Sequence, residues 1–161
     1  MPASEFISLY RSGDQRRTKY FKRVTSSTYS LLKGRSDEFS CSFRTAEFYL
    51  TAAEAAARLG HTTDAINYLT PLMAKRLNSS AYQTTTELIN TMKEEELIQE
   101  ILDERARELA FEGHRWYDLR RTTQPALTRV YDGTTYTLLP EQYTMRFPSE
   151  AVEANPKIEL W

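Results

Sequence analysis

The chain has 161 residues, with 21 Lys and Arg against 22 Asp and Glu, for a net charge of −1. That balance argues against a general nucleic-acid binder, which needs a net basic face; 40% hydrophobic and 27% charged residues place the chain among globular rather than disordered proteins. No apolar run approaches the ~20 residues that span a bilayer, and the single cysteine, Cys41, excludes an intrachain disulfide.

In chain order, Met1-Pro2-Ala3-Ser4-Glu5 is polar and lacks the cationic-then-apolar pattern of a signal peptide. The chain is therefore either cytosolic or a piece of a longer secreted protein. Ser4 is a candidate cap for a short helix carrying Phe6, Ile7, Leu9 and Tyr10. Gly13-Asp14 breaks it, and Tyr20, Phe21 and Val24 suggest a short extended or helical piece. From Thr25 to Ser40 the pattern is lost, so residues 1–42 read as a loop-rich segment with turns at Gly34 and Asp37. Cys41, inside FSCSF, reads as a half-buried free thiol.

Phe43 to Leu59 is Ala-rich and predicts a helix, with Ala46, Leu50, Ala53 and Ala57 at helical spacing. Gly60 stops it. Thr62 or Thr63 caps a second helix, with Ile66, Leu69, Met73 and Leu77 on one face and Pro71 expected to kink or shorten it. Residues 43–78 thus read as one helix-turn-helix unit of tetratricopeptide type. Asn78 to Thr86 reads as a polar linker holding Tyr82. Thr84 with Glu87 has capping-box form and opens residues 84–121, with a possible break near Met92.

The longest helical pattern runs from Lys93 towards Glu112. Leu97, Ile98, Ile101, Leu102, Arg105, Ala106 and Leu109 form its apolar side. Glu94, Glu95, Glu96, Glu100, Asp103, Glu104, Arg107 and Glu108 form the other. Arg105 on the apolar stripe requires a carboxylate partner and hydrogen bonds, because an unpaired buried charge is costly. Gly113 is the predicted stop, followed by a short helix with Trp116 and Leu119 inward. In residues 122–161, Asp132-Gly133 flanked by β-branched and aromatic residues predicts a β-hairpin over 129–139. Extended chain to Pro148, a turn over 149–154 and an irregular tail complete the chain.

The string Glu104, Arg105, Glu108, Leu109, Glu112, Gly113, Arg115, Trp116, Asp118, Leu119 and Arg120 resembles the C-terminal signature of the SusD/RagB family. A second string, Arg44, Ala46, Glu47, Tyr49, Leu50, Ala53, Glu54 and Ala55, resembles the segment that precedes that family's helix pair. Asp14-Gln15-Arg16, Lys19-Tyr20-Phe21 and the tail Phe147-Pro148, Glu150, Asn155-Pro156 and Ile158 are similar to further pieces, with Phe147 replacing the usual aliphatic residue. The resemblance implies the C-terminal part of a glycan- or nutrient-binding lipoprotein on the bacterial outer-membrane surface. It implies a TonB-dependent, SusC-like transporter as partner, oligosaccharide or another nutrient as ligand, and a lipid anchor on a part absent from this chain. It favours the piece of a longer secreted protein over the cytosolic reading.

The expected architecture is a single mainly α domain. A tetratricopeptide-like helix pair packs on a long helix and a short helix, with a small β-hairpin and an irregular tail. The charge set Glu104, Arg105, Glu108, Glu112, Arg115, Asp118 and Arg120 invites a glycosidase reading. Carboxylates at i, i+4 on one helix point the same way, however, whereas glycoside hydrolysis needs two that flank a bond. The set is read instead, with Glu47, Glu54, Gly113 and Trp116, as structural: an ion-pair network that holds the elbow at Gly113 and docks the short helix. Glu108, Glu112 and His114 lack metal-ligand spacing, so neither metal nor cofactor is expected. The candidates for stacking on a sugar are Tyr82, Tyr131 and Tyr136. The alternative function is a tetratricopeptide-type protein-interaction domain that uses the groove of the helix pair.

Overall fold

A computed structural model describes residues 4–26, 28–33, 44–144, 147–155 and 157. The sequence readings at Cys41, Gly34, Asp37, Phe43, Pro156 and Ile158 lie outside the described residues. Two compact units form, Met1–Arg115 and Trp116–Trp161.

In the first unit, α1 (Ser4–Ser8) and α2 (Arg16–Tyr20) precede a ribbon of β1 (Phe21–Arg23) and β2 (Tyr29–Leu31). The strands pair antiparallel, Phe21 opposite Leu31. This ribbon corrects the loop expected after Thr25. Its strands are three residues long, too short for an alternating pattern to register. Helices α3 (Thr45–Arg58) and α4 (Thr62–Ala74) pack together, and both pack on α6 (Glu94–Glu108). At the end of α3, Gly60 and His61 donate to Ala57 and Ala56, the paired bonds of a glycine-closed helix end. Pro71 is exposed near the end of α4, and the helix continues past it to Ala74.

The predicted periodicities locate the core. Leu50, Ala53 and Ala57 of α3, Leu69 and Met73 of α4, and Leu97, Ile101 and Leu109 are all buried in one cluster. Small alanines on α3 let α4 approach closely. A second, aromatic cluster joins Ile7, Tyr10 and Phe21. Phe6 and Phe111 pack on Phe21 edge to face, with ring centroids 6.4 and 6.1 Å away.

Residues 79–89 correct the sequence reading. Ser79–Ile89 is a helix, α5, and its N-cap is Asn78, whose side chain accepts from the Ala81 N–H at 2.9 Å. Thr84 and Glu87 lie inside it, so they form no cap. A break does follow at Asn90–Lys93, and α6 opens with the Glu96 carboxylate accepting from the Lys93 N–H at 2.9 Å. At the other end α6 stops at Glu108, short of Gly113. Phe111 takes φ +63° and Gly113 φ +86°. Two side-chain cations replace the missing turn at the helix end: Lys33 and Arg44 each donate to the Glu108 carbonyl at 2.8 Å.

The division between units falls inside α7 (His114–Arg121). The second unit holds the hairpin β3 (Leu127–Tyr131) and β4 (Thr134–Leu138), a 3₁₀ turn at Pro140–Tyr143 and α8 (Ser149–Ala154). Asp132 and Gly133, at φ +48° and +72°, form the predicted two-residue turn. Trp116 stacks on Tyr143, with centroids 4.9 Å apart and planes 16° off parallel. The buried Tyr143 hydroxyl donates to the Pro125 carbonyl at 2.8 Å. Among the described residues no helix is long and apolar enough to cross a membrane.

Candidate functional site

Glu100, Glu104, Glu108 and Glu112 recur every four residues and so form a line of carboxylates down one side of α6 and just past its end. Sequence alone sets Glu100, Glu104 and Glu108 on the side of the helix away from its apolar stripe. In the structure that side is covered as well: Glu100, Glu104 and Glu108 are buried, as is Arg107. The reason is that α6 is covered on two sides, by α3 and α4 and by the N-terminal segment. Tyr10 donates to the Arg107 carbonyl at 2.8 Å, and Arg107 donates to the Leu9 carbonyl at 3.2 Å.

Each carboxylate in the line has a cation. Glu100 accepts from Arg107 at 2.6 Å and Arg11 at 2.5 Å. Glu104 accepts from Arg16 at 2.6 Å and Arg107 at 2.8 Å. Glu112 accepts from Arg44 at 2.8 Å and pairs with Lys33. Glu108 is the hub. Arg16 and Arg44 reach it at 2.9 Å, and Arg76 clamps both its oxygens, each at 2.8 Å. Arg16 is itself held by Asp14, through Nε at 3.0 Å and Nη2 at 2.8 Å.

These contacts set the charge states. Burial would raise the Glu108 carboxyl, but the hydrogen bonds and charge of Arg76, with Arg16 and Arg44, hold it down at about 2. Burial would lower the Arg16 guanidinium, and Glu104 and Asp14 more than offset this, so it is raised. Burial pushes the Lys33 ammonium below its ordinary value, against the pull of Glu112. A carboxylate so tightly held in its ionised form does not supply a proton near neutrality, so Glu108 is no general acid. The arrangement is a clamp: it ties the chain at residues 11–16, Lys33, Arg44 and Arg76 to one helix.

The other signature residues are spread out. Arg105 is buried and donates to the Thr51 hydroxyl at 3.2 Å. Buried Glu54 accepts from Arg58 at 2.9 Å, and Glu47 lies 3.6 Å from the His114 imidazole. Asp118 is buried and accepts from Arg121 at 2.7 Å. Arg115 and Arg120 are exposed and make no ion pair among the described residues. Among the described residues these two arginines therefore take no part in the ion pairs of Glu104, Glu108 and Glu112. Apart from Arg107, the cations that hold the line come from earlier in the chain.

Of the three candidate tyrosines, Tyr131 and Tyr136 are brought together on the hairpin, 75% and 57% exposed. Tyr82 belongs to the first unit. It lies on α5 rather than on a linker, half-buried against the main core.

The sequence profile of the SusD family matches residues 9–157. The chain belongs to the SusD family. A SusD-like protein, P38, of Formosa agariphila is 39% identical over 83 residues, which is 51% of this chain and 16% of that protein. The crystal structure of a SusD-like carbohydrate binding protein from Bacteroides vulgatus aligns with a TM-score of 0.63 at 22% identity. That alignment covers 96% of this chain and 40% of the other. The SusD-family chain thus spans well under half the length of both relatives.

Several members of the clamp escaped sequence reasoning. Arg16 and Asp14 carried a signal only as the short Asp14-Gln15-Arg16 string. Arg11, Lys33 and Arg76 carried none, since nothing near any of them in the sequence marks a carboxylate partner.

Proposed function

We propose that this SusD-family chain is the C-terminal part of a non-catalytic nutrient-binding protein of the bacterial outer-membrane surface. It captures oligosaccharide and passes it to a TonB-dependent, SusC-like transporter, and a lipid anchor elsewhere in the protein holds it to the membrane. The observation that carries this reading is the family match across residues 9–157. The carbohydrate-binding relative from Bacteroides vulgatus supports it. So does the commitment of every carboxylate in the α6 line to a guanidinium or ammonium group, which leaves that line no free acid and base. Exposed Tyr131 and Tyr136 offer flat aromatic faces for sugar rings.

The test is calorimetric titration of the protein with a panel of oligosaccharides, with chromatography of the sugars afterwards. Saturable binding with the sugars recovered intact is expected, and it should weaken at least tenfold in Tyr131→Ala with Tyr136→Ala. Cleaved sugars, or no binding across the panel, overturn the reading. A peptide-binding role for the tetratricopeptide-like pair has one observation in its favour. Phe48 on α3 and Leu59 just past its end are 63% and 72% exposed. Peptide capture that Phe48→Ser and Leu59→Ser abolish, with no sugar bound, would make it the better reading.

A further inference from the structure

The hairpin has two chemically different faces. Its register pairs Leu127 with Leu138, Arg129 with Tyr136 and Tyr131 with Thr134. Side chains alternate along a strand, and directly opposed residues share a face. Arg129, Tyr131 and Tyr136 therefore project together. The reverse face carries Val130 and threonines, with Thr128 and Thr137 hydroxyls 3.2 Å apart. A lone two-stranded ribbon is marginally stable in water, and two largely exposed tyrosines on one face of it bury little surface to help.

Arg129 decides what kind of ligand that face suits. It is exposed, donates through Nη1 to the Thr128 carbonyl at 2.8 Å, and pairs with no carboxylate among the described residues. It lies about 7 Å from Tyr131 along the strand and about 5 Å from Tyr136 across the ladder. A guanidinium fork with one flat ring across the ladder and another along its strand complements a ligand with apolar ring faces and a planar anion beside them, since guanidinium and carboxylate match bidentately. We infer that this face binds an acidic oligosaccharide through its uronate residues, the carboxylate on Arg129 and the sugar rings on Tyr131 and Tyr136. The inference rests on the oligosaccharide binding proposed above and adds the ligand's charge and the residue that selects it.

The experiment is calorimetric titration of the 161-residue chain with trimers of galacturonate and of mannuronate, each beside its carboxyl-reduced, neutral form. At least tenfold tighter binding of one acidic trimer over its reduced form is expected, with the preference shrinking as salt rises. Arg129→Gln should lose that tenfold, and Arg129→Lys should keep part of it. Lys22→Gln, which removes an equal charge from an exposed position of β1, should keep all of it. Unchanged circular dichroism in the Arg129 variants would tie the loss to contact rather than folding. Equal affinity for acidic and reduced trimers, a preference that survives Arg129→Gln, or stronger binding of a sulfated, uronate-free trimer overturns the inference while leaving oligosaccharide binding intact. Failure to bind any trimer overturns both.

Discussion

Glu108→Gln is the sharpest probe of the clamp, because it keeps the shape of the side chain and removes its charge. Glu108 is fully buried and receives Arg16, Arg44 and Arg76. Its carboxyl drops from 4.5 to about 2 in the folded chain. At about 1.4 kcal/mol for each tenfold change in the proton equilibrium, the ionised form contributes roughly 3 kcal/mol to folding. Truncating one partner of a buried ion pair typically costs about 3–5 kcal/mol. The two figures agree, and glutamine adds a further fault by turning an amide N–H₂ towards guanidinium donors. For a chain of this size the thermal midpoint at pH 7 should fall by roughly 6–12 °C. The pH dependence has a definite sign. The folded pKa lies below the unfolded one, so the stabilisation is fully present above pH 4.5 and is lost as pH falls through about 2. Thermal melts of wild type and Glu108→Gln should therefore converge on acidification. A midpoint within about 1 °C of wild type at neutral pH, or a gap that stays constant from pH 6 to pH 2.5, would refute the clamp.

Gly13→Ala should destabilise the chain by about 2–4 kcal/mol in urea unfolding, from left-handed strain plus overpacking. Gly13 has φ +83°, its carbonyl accepts from the Asn78 N–H at 3.0 Å, and a Cβ there would stand 2.6 Å from the Ala81 Cβ; a cost under about 1 kcal/mol would mean the N-terminal segment is not seated against Asn78 and Ala81. Arg115→Ala, though in the family signature, should change stability by no more than about 0.5 kcal/mol, because an exposed side chain without an ion pair has little to lose. A larger loss in chemical denaturation would show that Arg115 holds a carboxylate after all.

The elements legible in the sequence are those whose pattern is local. Leu50, Ala53 and Ala57 announce α3 because burial falls on one stripe of a helix rich in strong helix formers. Asp132-Gly133 announces the hairpin because its turn needs the left-handed backbone that these residues tolerate. Helix α5 fails the same reading for a physical reason. Ser79, Ser80, Thr84, Thr85 and Thr86 are weak helix formers, and Thr85 and Ile89 are its buried residues. Its helicity comes from the Asn78 cap and from packing on α4, neither of which shows in a propensity window. The clamp is illegible because its partners lie far apart in the chain: Arg16 meets Glu104 across a separation of 88 residues. The spacing of Glu104, Glu108 and Glu112 suggests an ion-pair network but not its partners, because nothing local distinguishes a carboxylate facing water from one facing a buried arginine.

The clamp alone does not fix how α6 sits against the N-terminal segment. Glu100, Glu104, Glu108 and Glu112 repeat every four residues, so sliding α6 by one turn would return a carboxylate to nearly every guanidinium. The register must come from residues that do not repeat. Arg107 donates to the Leu9 carbonyl; a one-turn slip would put Asp103 or Phe111 there, and neither can donate. Phe111, held at φ +63°, packs edge to face on Phe6 at 5.9 Å; a slip would bring Arg107 or Arg115 into that aromatic cluster and desolvate its charge. Buried ion pairs are often replaceable by apolar residues without loss of stability. Charge here therefore selects which segments meet α6, while Arg107 and Phe111 select the turn at which they meet. The left-handed strain at Phe111 is consistent with that division, since a residue is kept in an unfavourable backbone region only when its side chain is needed in one place.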